Sequence, residues 1–341
     1  MPAEITERKL RGHKARAMAA FITPALLMGG HLSERIPIDV AEADQSQAGK
    51  GYRHELVCTV YNEQAYLVAS RSGGVGSLDE SLGSALISGQ PFICFDNLRG
   101  KIDSTNVEAF ITAPGLFPAR VPHRGEIQID PRRFLIQLSS NGFESTNDLA
   151  NRASICRIRK RPGYAYRDTL GELRANPGYS LGAVFRIVKA WMEAGKPRTK
   201  DTRHDRREWC QILDWIVQNL VGIAPLMDGH QEAQERTGSV GLNWLRSVAL
   251  AVKSDSRLGT PFTTTHLVEF CVEHGITITG ANGEAKHDSR IVGTHLAKAF
   301  KTAAKPTIVI DCISIHRGEE EFTKPGGNKD KRYVYSFDLQ T

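Results

Sequence analysis

Between residues 36 and 159, short apolar runs alternate with segments that have helical spacing, and this alternation constrains the fold more than any other feature of the chain. Strands that alternate with helices are typical of a parallel α/β sheet. Several of the runs are apolar throughout, as expected for strands that are covered on both faces. We therefore predict a five-stranded parallel sheet with strands at Ile36–Ala41, Ala65–Ser70, Pro91–Asp96, Arg133–Ser139 and Ala153–Arg159.

Helices are predicted before, between and after these strands. A basic helix is expected at residues 6–20, and further helices after Lys50 and at 79–88, 105–112, 147–151, 180–194, 206–224 and 242–252. We expect the tryptophans of the later helices to pack in the core. In the tail, a helix with a Thr cap and a Gly stop (Thr263–Gly275) and a second helix (Ser289–Ala303) precede two strands, Thr307–Ile315 and Arg332–Asp338. Helices followed by a long-looped β-hairpin indicate a winged-helix module.

A Gly-Lys pair follows the first predicted strand and precedes a predicted helix, where a phosphate-binding loop belongs. Backbone N–H groups at a helix start, together with a lysine, attract nucleotide phosphates. The usual pattern is G-x-x-x-x-G-K-[ST], but here Asp replaces the first Gly and Gly replaces the Ser or Thr. We interpret the stretch as a modified phosphate cradle, formed by Asp44, Gln45, Ser46, Gln47, Ala48, Gly49, Lys50, Gly51 and Tyr52.

Polar residues at three later strands suit the same site. Asp96 ends the third strand, and a carboxylate at the C-terminal edge of a parallel sheet would lie where Mg²⁺ needs oxygen ligands. Asn141 follows the fourth strand and could orient an attacking water or touch the γ-phosphate. Arg152 precedes the fifth strand and could reach the phosphate of a neighbouring subunit. Taken singly, each could be an ordinary surface residue, but their order and spacing are more specific.

The segment from Ile36 to about Pro162 resembles the P-loop ATPase core of replication helicases of phages, satellites and integrative elements. These helicases belong to the AAA+ group, close to superfamily 3, and some carry the core behind a primase. The resemblance lies in GQPFICFDNLRGKIDSTNVEAFIT and QLSSNGFESTNDLANRASICRIRKRPG, and more loosely in REWCQILDWIVQNLVGIAPLM. It covers roughly the central half of the chain.

The resemblance implies a DNA helicase that uses ATP and Mg²⁺. In it Lys50 is the Walker A lysine, Asp96 the Walker B acid and metal ligand, Asn141 the sensor asparagine and Arg152 the arginine finger. It also implies a homo-oligomeric, hexameric ring with single-stranded DNA in its channel. The predicted domains are an N-terminal helical lead (1–34), an ATPase core (35–165), a helical subdomain or lid (166–235) and a winged-helix-like DNA-binding domain (236–341).

Two segments are candidate DNA contacts. A hairpin is predicted between residues 117 and 130, and in the helicases that this chain resembles such a loop grips the DNA backbone. The resemblance assigns that role to His123 and Arg124, with an ordinary surface hairpin as the alternative. In the tail, the second helix is the candidate recognition helix for duplex DNA, with Arg290, Lys298 and Lys301 as contacts. Winged helices also serve as protein-interaction modules, so this alternative stays open.

Departures from the ATPase pattern leave other functions open. Gly51 lacks the hydroxyl that normally holds Mg²⁺, although water could take that position. Asn97 stands where many ATPases place a catalytic Glu, and an Asn cannot act as a general base; Glu42 and Glu80 are remote candidates for that base. Positioning and electrostatics supply most phosphoryl-transfer catalysis, so slow hydrolysis is compatible with these changes. The alternatives are a weak or inactive P-loop protein that acts through its winged helix, and an accessory ATPase that loads another helicase.

Composition adds general constraints. The net charge of +6 favours polyanionic partners, although each basic cluster could be a solvated face. The longest apolar stretches are too short for a membrane span and one carries a proline. The six cysteines form no C-x-x-C pair and most lie in apolar runs, which indicates buried free thiols in a reducing cytoplasm and argues against a structural zinc.

Overall fold

The computed structural model describes residues 2–43, 47–68, 78–98, 101–102, 104–121, 125–141, 143–159, 163–237, 240–276, 288–303, 306–310, 313–323 and 329–339. The chain divides into two compact units. The larger unit comprises Glu7–Gly238, and the smaller comprises Ser239–Thr341 together with Met1–Thr6. The predicted helical lead, ATPase core and helical subdomain all fall largely within the larger unit.

The elements before the smaller unit follow the predicted alternation. In chain order they are α1 (Pro2–Met28), β1 (Ile38–Ala43), α2 (Lys50–Val60), β2 (Tyr66–Val68), α3 (Leu78–Ser88), β3 (Phe92–Leu98), β4 (Lys101–Ile102), α4 (Thr105–Thr112), β5 (Phe117–Val121), β6 (Gly125–Ile129), β7 (Leu135–Ser140), β8 (Glu144–Ser145), α5 (Asn147–Asn151), β9 (Ala153–Ile158), α6 (Thr169–Ala175), α7 (Pro177–Glu193), α8 (Arg207–Asn219) and α9 (His230–Thr237).

Strands β1, β2, β3, β7 and β9 form one sheet in the order β2–β3–β7–β1–β9, and every pairing is parallel. The predicted five-stranded parallel sheet is therefore confirmed. Alternate side chains of each strand face opposite sides. On β7, Leu135 packs with α2 on one face, whereas Ile136 and Leu138 pack on the other face in the cluster that contains α3 and α4. Because all strands run the same way, the carboxyl ends of β1, β3 and β7 lie at one edge.

Helices α1, α7 and α8 form a second apolar cluster. Trp191 and Trp209 lie inside it with 1% and 3% of their surface exposed, as predicted for core tryptophans. Burying aromatic side chains of this size supplies much of the apolar area that stabilises such a layer.

A buried arginine joins α1 to the rest of the larger unit. The Arg16 guanidinium donates hydrogen bonds to the carbonyl oxygens of Ile155 (2.8 Å), Leu226 (2.6 Å) and Asp228 (3.0 Å). Burial lowers the pKa of Arg16 to about 10. Gly12 permits the close approach, because a Cβ at that position would lie 2.1 Å from the carbonyl oxygen of Asp228. From Glu7 onward the N-terminal helix is thus part of the larger unit, and the helix is longer than the predicted residues 6–20.

The smaller unit packs three helices against an antiparallel sheet. Its elements are α10 (Val240–Ser254), β10 (Phe262–Thr263), α11 (Thr264–Glu273), α12 (Ser289–Ala303), β11 (Thr307–Ile310), β12 (Ile313–Thr323) and β13 (Lys329–Leu339), with sheet order β10–β13–β12–β11. The Thr263 side chain accepts a hydrogen bond from the His266 N–H at 3.2 Å, so the predicted Thr cap is confirmed. The single strand predicted at 307–315 is wrong, because Ile310 pairs with Ile313 and the apolar run folds back on itself as β11 and β12.

The basic run at residues 329–332 is balanced by carboxylates on the neighbouring strand. Arg332 pairs with Glu320 at 2.8 Å, Lys331 with Glu319 at 3.6 Å, and Lys329 with Glu321 at 3.9 Å. All six side chains are substantially exposed, so each pair contributes at most about 1 kcal/mol to stability. The pairs do, however, cancel most of the positive potential of this hairpin.

Among the described residues, no helix combines the length and the apolarity needed to span a bilayer. The described cysteines are free and buried, as the sequence predicts: Cys58, Cys94, Cys156, Cys210 and Cys271. Burial raises the pKa of the Cys58 and Cys94 thiols to about 12, which makes both unreactive at neutral pH.

Three buried histidines, His54, His204 and His230, are expected to make the fold sensitive to mild acid, and burial lowers the pKa of His230 well below its ordinary value. Burial lowers the pKa of His54 and His204 from 6.5 to about 4. Between these values the unfolded chain binds protons that the folded chain does not, so the stability is complete above pH 6.5 and is lost as the pH falls towards 4. We predict that the free energy of unfolding, measured by urea titration, drops by about 2 kcal/mol per histidine between about pH 7.5 and about pH 5.

His204 offers the sharpest control for this prediction. Its Nδ1 accepts from the Arg206 N–H at 2.9 Å, so its Nε2 donates to the Ala153 carbonyl oxygen at 3.3 Å, and the ring is held neutral. In the variant His204→Gln, the free energy of unfolding should fall less between these pH values, because the contribution of His204 is absent. The replacement of exposed His316 by Gln is the matched control, and a free energy of unfolding that stays constant over this pH range would contradict the expectation.

Candidate functional site

The start of α2 presents backbone donors at the carboxyl edge of the parallel sheet. Its N-cap, Gly49, has φ 91° and ψ 19°, a left-handed conformation that glycine adopts without the strain other residues meet. Gly49 offers no side-chain cap, and the first turn contains no acidic residue. Since the first N–H groups of a helix have no partner within it, α2 begins with available donors and a partial positive charge.

Lys50 and Asn141 meet at this edge. The Lys50 Nζ donates to Oδ1 of Asn141 at 2.5 Å. The strands β1 and β7 are neighbours, with Glu42 beside Ser140, so the segments that follow them lie side by side. Only 8% of Lys50 is exposed. Burial lowers the pKa of its ammonium group, and the carboxylate of Asp96 acts in the opposite direction.

Asp96 completes the group of side chains that the sequence predicts to lie together. It is exposed two residues before the end of β3, and its Oδ1 accepts a hydrogen bond from the Ser139 hydroxyl at 2.6 Å. A Cβ on Gly51 would lie 3.9 Å from the same oxygen. The carboxylate therefore borders both Lys50 and the position where the usual motif has a hydroxyl. Asp96 could hold Mg²⁺ through an oxygen, but Gly51 supplies no second oxygen from its side chain.

A buried ion pair seats the first turn of α2 on the sheet. The two terminal nitrogens of Arg53 each lie 2.8 Å from an oxygen of Asp39 on β1. Burial alone would lower the pKa of Arg53, but Asp39 raises it above its ordinary value. Beside this pair, the Gln137 amide on β7 donates to the His54 carbonyl oxygen at 3.4 Å. These contacts fix the helix that carries Lys50.

Glu42 has a structural role on the other face of the sheet. One of its oxygens lies 2.5 Å from Nη2 of Arg236 on α9, and the other accepts from the Phe143 N–H at 3.2 Å. Glu42 is 0% exposed. A carboxylate held in this way is a poor general base for a reaction at Lys50, and its bond to Phe143 instead orients the segment that carries Asn141.

Arg152 lies at the opposite edge of the sheet from the other predicted catalytic residues. It precedes β9, and its carbonyl oxygen accepts from the Ile38 N–H at 3.0 Å, at the start of β1. A six-residue strand such as β9 spans about 20 Å. Within one chain, Arg152 is therefore separated by about that distance from Lys50. Its guanidinium forms an ion pair with Asp148.

Two further arginines surround Arg152. Arg206 donates to the Ile111 carbonyl oxygen at 2.6 Å, and Arg35 donates to the Phe110 carbonyl oxygen at 3.1 Å. Burial, together with the charges of Arg152 and Arg35, lowers the pKa of Arg206 to about 10. The amino edge of the sheet thus gathers three arginines, and the nearby carboxylates of Asp148, Asp205 and Glu34 offset part of their charge.

The remaining predicted residues are only partly described. Asp44, Gln45, Ser46, His123 and Arg124 lie outside the described residues, although β5 and β6 pair as the expected hairpin on either side of the last two. Gln47, left-handed at φ 57°, and Ala48 lead into Gly49. Arg290 and Lys298 are exposed on α12, and the Lys301 side chain lies outside the description, as does that of Asn97.

Sequence reasoning missed several residues that shape the site. Ser139 was detectable, because Gln137 and Ser139 place polar groups two positions apart on one face of β7, and Asn141 follows at the same spacing. The pairs Arg53–Asp39 and Arg236–Glu42 had no local signal, since the partners of the second are 194 residues apart.

No known family model matches this chain, and no curated protein matches it either.

Proposed function

We propose that the larger unit is a P-loop, AAA+-like ATPase core that binds ATP with Mg²⁺, and that the protein works as a DNA helicase or replication motor. One observation carries the proposal: the ammonium of Lys50, the carboxylate of Asp96 and the amide of Asn141 converge at the carboxyl edge of a parallel sheet, beside the start of α2. An ammonium, the backbone N–H groups of a helix start and a metal-binding carboxylate complement the charges of a Mg²⁺-bound triphosphate.

Each group has a part in this proposal. The N–H groups of the first turn and Lys50 bind the β- and γ-phosphates. Asp96, oriented by Ser139, holds Mg²⁺, which neutralises phosphate charge when it is bound. Asn141 exchanges its hydrogen bond with Lys50 for one to the γ-phosphate or to the attacking water. The buried Glu42 keeps the Asn141 segment in place.

The location of Arg152 favours action between subunits. About 20 Å of sheet separates it from the phosphate site of its own chain, so it is in reach only of a site on a neighbouring copy. The nearby Arg35 and Arg206 add positive charge to the same edge. Such an edge suits the triphosphate of a second protomer, as in a homo-oligomeric ring.

DNA is the polymer partner in this proposal. The net charge is +6, and exposed Arg290 and Lys298 lie on α12 of the smaller unit. The order of its elements, in which three helices and the short β10 precede the hairpin of β12 and β13, favours a winged-helix module. Since glutamates balance the basic hairpin of β12 and β13, α12 is the better candidate for contact with duplex phosphates.

Replacement of Lys50 tests the proposal directly. We expect Lys50→Ala to weaken binding of a fluorescent ATP analogue by roughly 10- to 100-fold, because a charge-assisted hydrogen bond to phosphate is lost. ATP hydrolysis stimulated by single-stranded DNA should be abolished. The matched control is Lys189→Ala, which removes an exposed lysine from α7. Unchanged nucleotide affinity in Lys50→Ala would overturn the triphosphate site.

A mixing experiment tests the role of Arg152 between subunits. We expect Lys50→Ala and Arg152→Ala each to lack ATPase activity. When the two variants assemble together, an interface that combines Lys50 from one protomer with Arg152 from its partner is intact, so the mixture should regain a measurable fraction of activity. A mixture that forms oligomers and stays inactive would contradict an inter-subunit site.

A second candidate function has a specific observation in its favour. Gly51 provides no hydroxyl at the position where the usual motif has a Ser or Thr that binds the metal, and this weakens the metal site. In this second proposal the core binds nucleotide without effective turnover, and the smaller unit carries the function as a DNA-binding or helicase-loading module. DNA binding and biological output that survive Lys50→Ala unchanged would favour it over the motor.

Restoring the hydroxyl separates these candidates. We expect Gly51→Ser to tighten Mg²⁺-dependent ATP binding about fivefold, because its oxygen would approach Asp96 and the metal. Titration of ATP affinity against Mg²⁺ concentration measures this effect. Gly51→Ala, which adds the Cβ without the oxygen, is the control; equal behaviour of the two variants would contradict the prediction. ATPase activity that arises only in Gly51→Ser would support the second candidate.

A further inference from the structure

Two tyrosine rings meet beside the first turn of α2. Tyr52 is the third residue of this helix, and its ring lies edge-on to that of Tyr166, with centroids 6.4 Å apart and planes at 64°. Tyr166 belongs to the segment 163–168 that follows β9, and 73% of its surface is exposed. An exposed aromatic ring next to a helix start that attracts anions is a chemically distinctive combination.

The topology brings these rings to the same sheet edge as Lys50. Strand β9 pairs with β1 to the end of both, where Ile158 lies beside Ala43. The chain segments that leave β1 and β9 therefore emerge together at the carboxyl edge. Because an α-helix rises 1.5 Å per residue, the backbone of Tyr52 lies only about 3 Å further along the helix axis than that of Lys50. Arg53 is directed into the sheet, whereas Tyr52 lies on the outer flank of α2.

Hydrogen bonds hold the aromatic pair in position. The Tyr52 hydroxyl donates to the Arg167 carbonyl oxygen and accepts from the Leu170 N–H, both at 3.3 Å. One turn further along α2, Glu55 pairs with Arg174 of α6 at 2.6 Å. The segment that carries Tyr166 is thus tied to the helix that carries Lys50, and the ring is ordered without being covered.

We propose that Tyr52 and Tyr166 form the stacking site for the nucleobase of the triphosphate, with Tyr166 supplying the ring face. The inference rests on the proposed function. It adds a binding site for the base, which is the part of the ligand that the phosphate cradle does not contact. Aromatic side chains stack on nucleobases through their π faces, whichever base is bound. An exposed ring is suited to this role because the base need displace only water.

The test compares two ligands that share the phosphates and differ in the base. Calorimetric titration in Mg²⁺ gives the affinities of the wild-type chain, Tyr166→Ala and Tyr166→Phe for ATP and for inorganic tripolyphosphate. We expect Tyr166→Ala to weaken ATP binding about tenfold and to leave tripolyphosphate binding unchanged, because stacking is lost and the phosphate contacts remain. Tyr166→Phe keeps the ring and should bind ATP as the wild type does. The matched control is Tyr179→Ala, which removes an exposed tyrosine from α7.

The outcomes separate this inference from the function on which it rests. Equal ATP affinity in Tyr166→Ala and the wild type, with tripolyphosphate still bound, would overturn the stacking site and leave the phosphate cradle standing. A wild-type chain that binds neither ligand would overturn both. If Tyr166→Ala lost affinity for both ligands equally, Tyr166 would support the loop rather than the base, and the inference would again fail.

Discussion

The ion pair between Arg53 and Asp39 determines where α2 sits, and the position of α2 decides the geometry of the whole carboxyl edge. Removing one partner of a buried pair typically costs about 3–5 kcal/mol, because the other charge is left unpaired in a region of low polarity. Lys50 precedes Arg53 by less than one turn of the helix. When the guanidinium is held against β1, the ammonium of Lys50 is directed to the space beyond the ends of β1 and β7. The left-handed Gly49 then lets the chain enter the helix at that point.

Much of this architecture was accessible from the sequence. The apolar runs identified all five strands of the sheet, because strands buried on both faces leave a continuous hydrophobic signature. The ends of those strands identified Lys50, Asp96 and Asn141, since parallel strands deliver their following residues to one edge. The Thr263 cap and the ranges of α4, α5 and α12 followed from local chemistry, which depends on neighbours in the chain.

What the sequence concealed depends on partners that are distant in the chain. Nothing local in Arg332 or Lys331 indicates that three glutamates stand opposite them, so a balanced hairpin resembled a basic patch. Ser139 and Glu42 are polar residues within strands. Their partners, Asp96 on β3 and Arg236 on α9, are evident only from the three-dimensional structure. The division of the predicted strand into β11 and β12 was also hidden, because an uninterrupted apolar run does not reveal where the chain reverses direction.

The attachment of α1 through Arg16 has a consequence for how the larger unit holds its shape. The three carbonyl oxygens that Arg16 binds belong to β9 and to the connection that leads into α9. That connection ends at the helix whose Arg236 meets Glu42 on β1. The first helix of the chain therefore braces the last strand and the last helix of its unit against each other. Replacing Arg16 would therefore loosen the last strand and the last helix of this unit together.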